Sequence, residues 1–75
     1  METFHVIKDG VVYELRAEPD GGYTISVPAL PGCISIGDTI DEALTMIADA
    51  MDGWLAVARE DGLPIPEQFA LRQAS

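Results

Sequence analysis

The chain has 75 residues, enough for one small domain with a single hydrophobic core. Thirteen acidic residues against four scattered basic ones give a formal net charge of −9, which argues against nucleic-acid binding, because that requires clustered Lys and Arg. A single cysteine cannot form an internal disulfide. The sequence has no recognisable signal peptide and no apolar run of about 20 residues that could span a membrane. It therefore predicts a cytoplasmic protein that does not bind membranes.

The first third of the chain predicts strands with period-two alternation. Two strands, at about 3–8 and 11–18, flank Asp9-Gly10, a pair typical of a type I′ hairpin turn. A third strand at about 22–28 alternates apolar and polar residues in the same way.

A turn and a fourth strand follow. Leu30-Pro31-Gly32-Cys33 has the sequence of a type II turn, because proline presets φ at the second position and glycine accepts the positive φ of the third. A short strand at about 33–37 follows, with Ile34 and Ile36 on one face. We expect Cys33 to begin a buried strand there.

The second half of the chain predicts one long helix at about 39–61. Thr39 and Glu42 fit the capping box that starts helices, and Gly62 is the expected left-handed residue at its end. The tail comprises residues 62–75, in which Phe69 and Leu71 either pack onto the domain or add an edge strand, and no prediction is made for the conformation of 67–75. The elements together predict an α+β fold, an antiparallel sheet of three to four strands covered by one long helix.

Three faces of the helix are distinguished at 100° per residue. One broad apolar face is predicted to cover the sheet, and comprises Ile40, Ala43, Leu44, Ile47, Met51, Trp54, Leu55 and Ala58. The opposite face carries Asp41, Glu42, Thr45, Asp49, Asp52 and Glu60. A second apolar strip, which we call the flank strip, comprises Met46, Ala50, Gly53 and Val57. The flank strip is either an interface or a surface that curvature of the sheet buries.

Residues suited to catalysis are sparse. Cys33 as a nucleophile would need a base and a positive environment, but the chain has only one histidine, His5, and is strongly acidic. The glycines fit turns, and none belongs to a phosphate-binding loop. We therefore predict a protein that is not an enzyme, with no catalytic residue, no cofactor and no metal.

The order of motifs resembles the HicB-like antitoxin family. The resemblance rests on GGYTISVPALPGCISIGDTIDEAL (21–44), with its Leu-Pro-Gly-Cys turn and Gly-Asp-Thr helix start, and on EDGLPIPE (60–67). It implies a partly reduced ribonuclease-H-like fold without the nuclease's metal-binding carboxylates. Many members continue into a C-terminal DNA-binding domain, whereas this sequence stops at Ser75, so we expect a short form that binds no DNA directly.

The resemblance further implies an antitoxin of a type II toxin–antitoxin pair, which neutralises a small basic HicA-like, mRNA-cleaving toxin by blocking its active site. The predicted interface has Asp49, Asp52, Glu60 and Asp61 as charged contacts and Met46, Trp54 and Val57 as apolar ones. A homodimer or higher homo-oligomer is also expected, since small domains without disulfides often gain stability by associating. The alternatives are a stand-alone oligomeric regulatory domain without a toxin and, less favoured, a residual metal-dependent nuclease.

Overall fold

Four antiparallel strands precede one long helix in the computed structural model, which describes residues 2–69. The elements are β1 (Thr3–Lys8), β2 (Val11–Ala17), β3 (Tyr23–Ser26), β4 (Ile34–Gly37) and α1 (Ile40–Asp61). The strands form one sheet in the order β1-β2-β3-β4, and each adjacent pair is antiparallel. The predicted α+β fold class is confirmed, while its ribonuclease-H-like detail stays a prediction.

Two tight turns have the predicted geometry. Asp9 and Gly10 both have positive φ, 53° and 79°, as a type I′ turn requires. In the turn between β3 and β4, Gly32 has φ 85°, and the N–H of Cys33 donates to the carbonyl of Leu30 at 3.0 Å. These are the features of a type II turn.

The core lies between one face of the sheet and α1. Alternation along β2 buries Val11, Tyr13 and Leu15 and exposes the residues between them. The helix contributes the buried residues Ala43, Ile47, Met51, Leu55 and Ala58. Ile40, predicted to lie on this face, is exposed instead, because it is the first residue of the helix.

The prediction of a buried fourth strand is wrong. Cys33 is buried, but Ile34 and Ile36 are 58% and 68% exposed. Their partners in β3, Ser26 and Thr24, lie on the outer face of the sheet, so the pairing register places both isoleucines there as well. Only Ser35 and Gly37 of β4 are directed towards the helix side.

At Gly37 the backbone of α1 lies very close to strand β4. A Cβ built on Gly37 would lie 2.4 Å from the backbone nitrogen of Ala43. Because real Cβ contacts are much longer, the helix can start this close to β4 only over a glycine.

Both ends of α1 are capped. The Thr39 hydroxyl accepts a hydrogen bond from the N–H of Glu42 at 3.0 Å, and the Glu42 carboxylate accepts one from the N–H of Asp38. At the other end Gly62 has φ 71°, and the N–H of Leu63 donates to the carbonyl of Ala58 at 2.8 Å, the bond of a Schellman motif. The Thr39 half of the predicted capping box is therefore present, whereas the Glu42 carboxylate bonds to the N–H of Asp38, one residue before the N-cap.

The chain after α1 returns to the core. Residues 63–66 form neither helix nor strand, residues 67–69 form a short 3₁₀ turn, and Phe69 is fully buried. Leu71, the other apolar residue considered for packing, lies outside the described residues. Within residues 2–69 no helix has both the length and the apolar character needed to cross a membrane.

Candidate partner interface

The outward face of α1 is acidic and accessible. Asp49, Asp52, Glu60 and Asp61, the predicted charged contacts, are all exposed. The ion pair of Arg16 with Glu18 and the contact of His5 with Glu14 both lie on the sheet side. Within residues 2–69 the carboxylates of α1 therefore have no basic partner. Uncompensated carboxylates along a helix about 33 Å long form an extended negative surface.

The flank strip is exposed. Met46 is 44% and Val57 55% exposed, Gly53 is exposed, and Ala50 is half-buried. The sheet therefore does not bury it, which decides between the two readings left open by the sequence in favour of an accessible apolar surface.

An open groove of about 920 Å³ runs beside the flank strip. Its walls are the second half of α1, the turn between β3 and β4 with the start of β4, and the chain after the helix. The lining residues are Ala29, Pro31, Gly32, Cys33, Ile34, Ala50, Gly53, Trp54, Val57, Ala58, Leu63, Pro64, Ile65 and Pro66. None of them is charged, although the chain has 17 Asp, Glu, Lys and Arg residues (13 + 4).

Trp54 lines the groove and also makes a hydrogen bond that joins the helix to the sheet. Its indole N–H donates a hydrogen bond of 2.9 Å to the carbonyl of Pro31, which holds the β3–β4 turn against the helix. The ring is half-buried and packs on the core while lining the groove. Trp54 thus forms part of a fixed wall.

Cys33 and His5 are not brought together. Cys33 lies just before β4, at one edge of the sheet, whereas His5 is exposed on β1, at the other edge. Burial raises the pKa of the Cys33 thiol, which disfavours the nucleophilic thiolate. Among residues 2–69 no group of three or more His, Cys, Asp and Glu side chains is arranged to hold a metal ion.

Sequence reasoning missed two parts of this surface. It did not anticipate that residues 63–66 would form a wall of the groove, because a short segment with two prolines carries no helical or strand periodicity. It also missed the exposure of Ile34 and Ile36. The sequence did contain a signal for this exposure. In a hairpin that buries Ile25, Thr24 and Ser26 lie on the outer face, and the residues of β4 that pair with Thr24 and Ser26 must lie on that face too.

Comparison with known proteins gives one family. The model of the HicB-like antitoxins of bacterial toxin–antitoxin systems matches residues 11–75. No solved structure matches the chain.

Curated relatives agree with that match. A UPF0150 protein of Thermoplasma acidophilum is 38% identical over 56 residues, which cover 75% of this chain and 81% of the relative. A UPF0150 protein of Synechocystis is 37% identical over 54 residues, 72% of this chain and 68% of the relative. The Photorhabdus laumondii protein named Antitoxin HicB 1 is 39% identical over 56 residues, 72% of this chain but only 36% of that protein.

Proposed function

Because the chain belongs to the HicB-like antitoxin family of bacterial toxin–antitoxin systems, we propose that it binds and neutralises a small basic HicA-like toxin that cleaves mRNA. Membership of this family implies a role in a toxin–antitoxin system, and the identity of the toxin and the way it is blocked are our proposal. The antitoxin covers the toxin's active site and keeps RNA out, a task that needs a matching surface and no catalytic residue of its own.

The observation that carries this proposal is the acidic face of α1. An RNA-cleaving protein needs a positive surface to bind phosphates. Such a surface is attracted by the exposed carboxylates of Asp49, Asp52 and Glu60, which have no basic partner among residues 2–69. An antitoxin that presents negative charge along a rigid helix competes with RNA for the same groups, and it is steered to them over a long range.

The experiment has two steps. Tagged chain is used to recover proteins from its native lysate, and a small basic protein that elutes at high salt is identified by mass spectrometry. That protein is then purified and its cleavage of RNA is measured with increasing amounts of the chain. Loss of cleavage at a one-to-one ratio is the expected result. Undiminished cleavage, or recovery of no basic protein, contradicts the proposal.

A second candidate is a stand-alone oligomeric regulatory domain without a toxin. It is favoured by the uncharged groove beside the flank strip, which does not match a basic partner. Recovery of the chain alone, as a defined oligomer, would favour this candidate over the antitoxin.

A further inference from the structure

Residues 64–69, which we call the strap, follow α1 and return to the hydrophobic core. Phe69 is the largest fully buried side chain in the described part of the chain, and Ile65 is half-buried against the same core cluster. The sheet and the helix all lie earlier in the sequence. The core is therefore completed by a segment that belongs to neither of them.

The helix covers the sheet unevenly. It packs against β3 and β4, whereas its backbone makes few or no close contacts with β1 and β2. Val11 and Leu15 of β2 are nevertheless fully buried, and Phe69 belongs to the same buried cluster. The helix reaches β2 with the side chain of Met51, whose sulfur accepts a hydrogen bond from the Tyr13 hydroxyl at 4.0 Å. The strap contributes the remaining cover through Phe69.

Apolar packing alone holds the strap in place. Within the chain that the structure describes, no hydrogen bond or ion pair joins the strap to another segment. The N–H of Phe69 donates to the carbonyl of Pro66 at 3.0 Å, which is a bond inside the strap. Pro64 and Pro66 have no N–H to donate.

The sheet and the helix are held much more firmly. Every neighbouring pair of strands forms an antiparallel ladder, and α1 is capped at both ends. Segments with few buried apolar contacts and no hydrogen bonds to their surroundings open at a lower free energy than the whole domain unfolds. Opening of the strap exposes one complete and one partial side chain, and the recovered freedom of its backbone offsets part of that cost.

The link between Leu63 and Pro64 is suited to act as the hinge. The N–H of Leu63 stays bonded to the carbonyl of Ala58 at 2.8 Å, so everything before this point belongs to the helix cap. The ring of Pro64 fixes its own φ, which leaves the ψ of Leu63 as the first torsion that can move the strap. Both residues are exposed, so rotation there disturbs no buried side chain.

We propose that the strap opens and closes about this hinge while the sheet and α1 stay folded, and that it thereby controls access to the apolar site that Phe69 fills. In the closed state Phe69 completes the core, while Ile65 and Pro66 form part of the groove wall. In the open state that wall is removed and the site of Phe69 joins the groove. The closed strap is thus an autoinhibitory contact, in which an aromatic side chain of the chain itself occupies the site. The inference does not depend on the proposed toxin.

The first test is amide exchange of the full chain at urea concentrations below the unfolding transition. A local opening exposes little surface, so its rate hardly changes with urea, whereas global unfolding depends on urea steeply. We expect the amide of Phe69 to be at least about a hundredfold less protected than those of Ile47 and Met51 in α1, and nearly independent of urea. Equal protection and equal urea dependence overturn the proposal.

The second test follows the ring of Phe69, because fraying of the 3₁₀ turn alone would expose its amide. Phe4 and Phe69 are the two phenylalanines of the chain, so 4-fluorophenylalanine gives two ¹⁹F signals. Relaxation dispersion and saturation transfer together cover lid motions from about microseconds to about seconds. We expect exchange with a minor, solvent-exposed state for Phe69 and none for Phe4 on β1. A Phe69 signal without such exchange overturns the proposal.

Two truncations of fully buried side chains separate the strap from the rest of the core. Leu15→Ala, in β2, should lower the protection of the Ile47 and Met51 amides at least about tenfold and leave exchange in the strap unchanged. Phe69→Ala should raise exchange in the strap at least about tenfold, while circular dichroism still shows the folded sheet and helix. Faster strap exchange in Leu15→Ala, or a Phe69→Ala chain that does not fold, overturns the proposal, because the strap then unfolds only together with the core.

Discussion

The indole nitrogen of Trp54 donates a 2.9 Å hydrogen bond to the carbonyl oxygen of Pro31, 23 residues earlier in the chain. The bond joins the second half of α1 to the β3–β4 turn, in which Gly32 has φ 85°. Both partners line the uncharged groove. The shape of the groove therefore depends on a contact between two elements that the sequence shows separately.

Replacement of Trp54 by Phe tests this contact. Phe keeps an aromatic ring but cannot donate to the Pro31 carbonyl, so the free energy of unfolding should fall by about 1 kcal/mol. For a domain of this size that corresponds to a melting temperature lower by about 4–8 °C. Trp54 is the only tryptophan of the chain, so unfolding of the variant cannot be followed by tryptophan fluorescence. Circular dichroism is therefore the appropriate measurement. An unchanged melting temperature would show that the hydrogen bond does not contribute to stability.

Two glycine-to-alanine substitutions should act in opposite directions. Gly37→Ala places a methyl group 2.4 Å from the backbone of Ala43, and moving the helix should cost about 3 kcal/mol. Gly53→Ala meets no atom within 4 Å and should stabilise the single chain by about 1 kcal/mol, because alanine favours helix.

Urea unfolding in dilute solution measures both glycine variants. Each serves as the control for the other, since the chemical change is the same. A stabilising Gly37→Ala would mean that α1 does not start as close to β4 as described.

The carboxylate of Glu18 should make part of the stability depend on pH. A hydrogen bond from the Thr24 hydroxyl at 2.6 Å and one from Arg16 Nε at 3.0 Å hold the pKa of Glu18 below its ordinary value of 4.5. Because the folded-state pKa is lower than the unfolded one, this contribution is complete above the unfolded pKa and is lost as pH falls through the folded pKa.

Glu18→Gln should therefore be less stable than the wild type at neutral pH, and the difference should shrink as pH falls. Urea midpoints from about pH 7 to about pH 3 measure this. Glu2→Gln is the control, because Glu2 is exposed and its side chain has no hydrogen bond within residues 2–69. A difference between Glu18→Gln and the wild type that stays constant with pH would exclude this role for the carboxylate.

If the proposed function holds, reversal of charge on α1 slows the association of the basic partner. Asp49→Lys with Asp52→Lys removes and inverts two exposed negative charges, and at low salt the association rate should fall by about tenfold or more, with a smaller effect at high salt. The measurement is stopped-flow or surface-plasmon kinetics with the basic protein recovered from the lysate.

The control pair, Glu14→Lys with Asp20→Lys, changes the net charge by the same amount. Glu14 lies on the outer face of β2 and Asp20 in the loop after it, both away from α1. If both double variants slow association equally, the net charge and not the helix face is responsible.

Local features of the fold could be predicted because their causes lie within a few residues. The positive φ of Gly10 and Gly32, the capping box at Thr39 and the left-handed Gly62 each follow from the chemistry of one short segment. The acidic face of α1 was predictable too, since helical periodicity alone brings Asp49 and Asp52 to one side. Whether the flank strip would be covered was not predictable, because that depends on the position of the sheet relative to the helix.

By itself, the sequence determined the class of fold, the ends of the helix and the sign of the charge on its outward face, because periodicity, capping and turn formation act between neighbours in the chain. The tertiary structure alone decided that Ile34 and Ile36 face outwards at an open edge and that Trp54 holds the turn at Pro31. It also decided that the flank strip lies beside that edge in one uncharged groove. These features depend on strand register and on where the helix rests on the sheet, and both follow from packing between segments far apart in sequence.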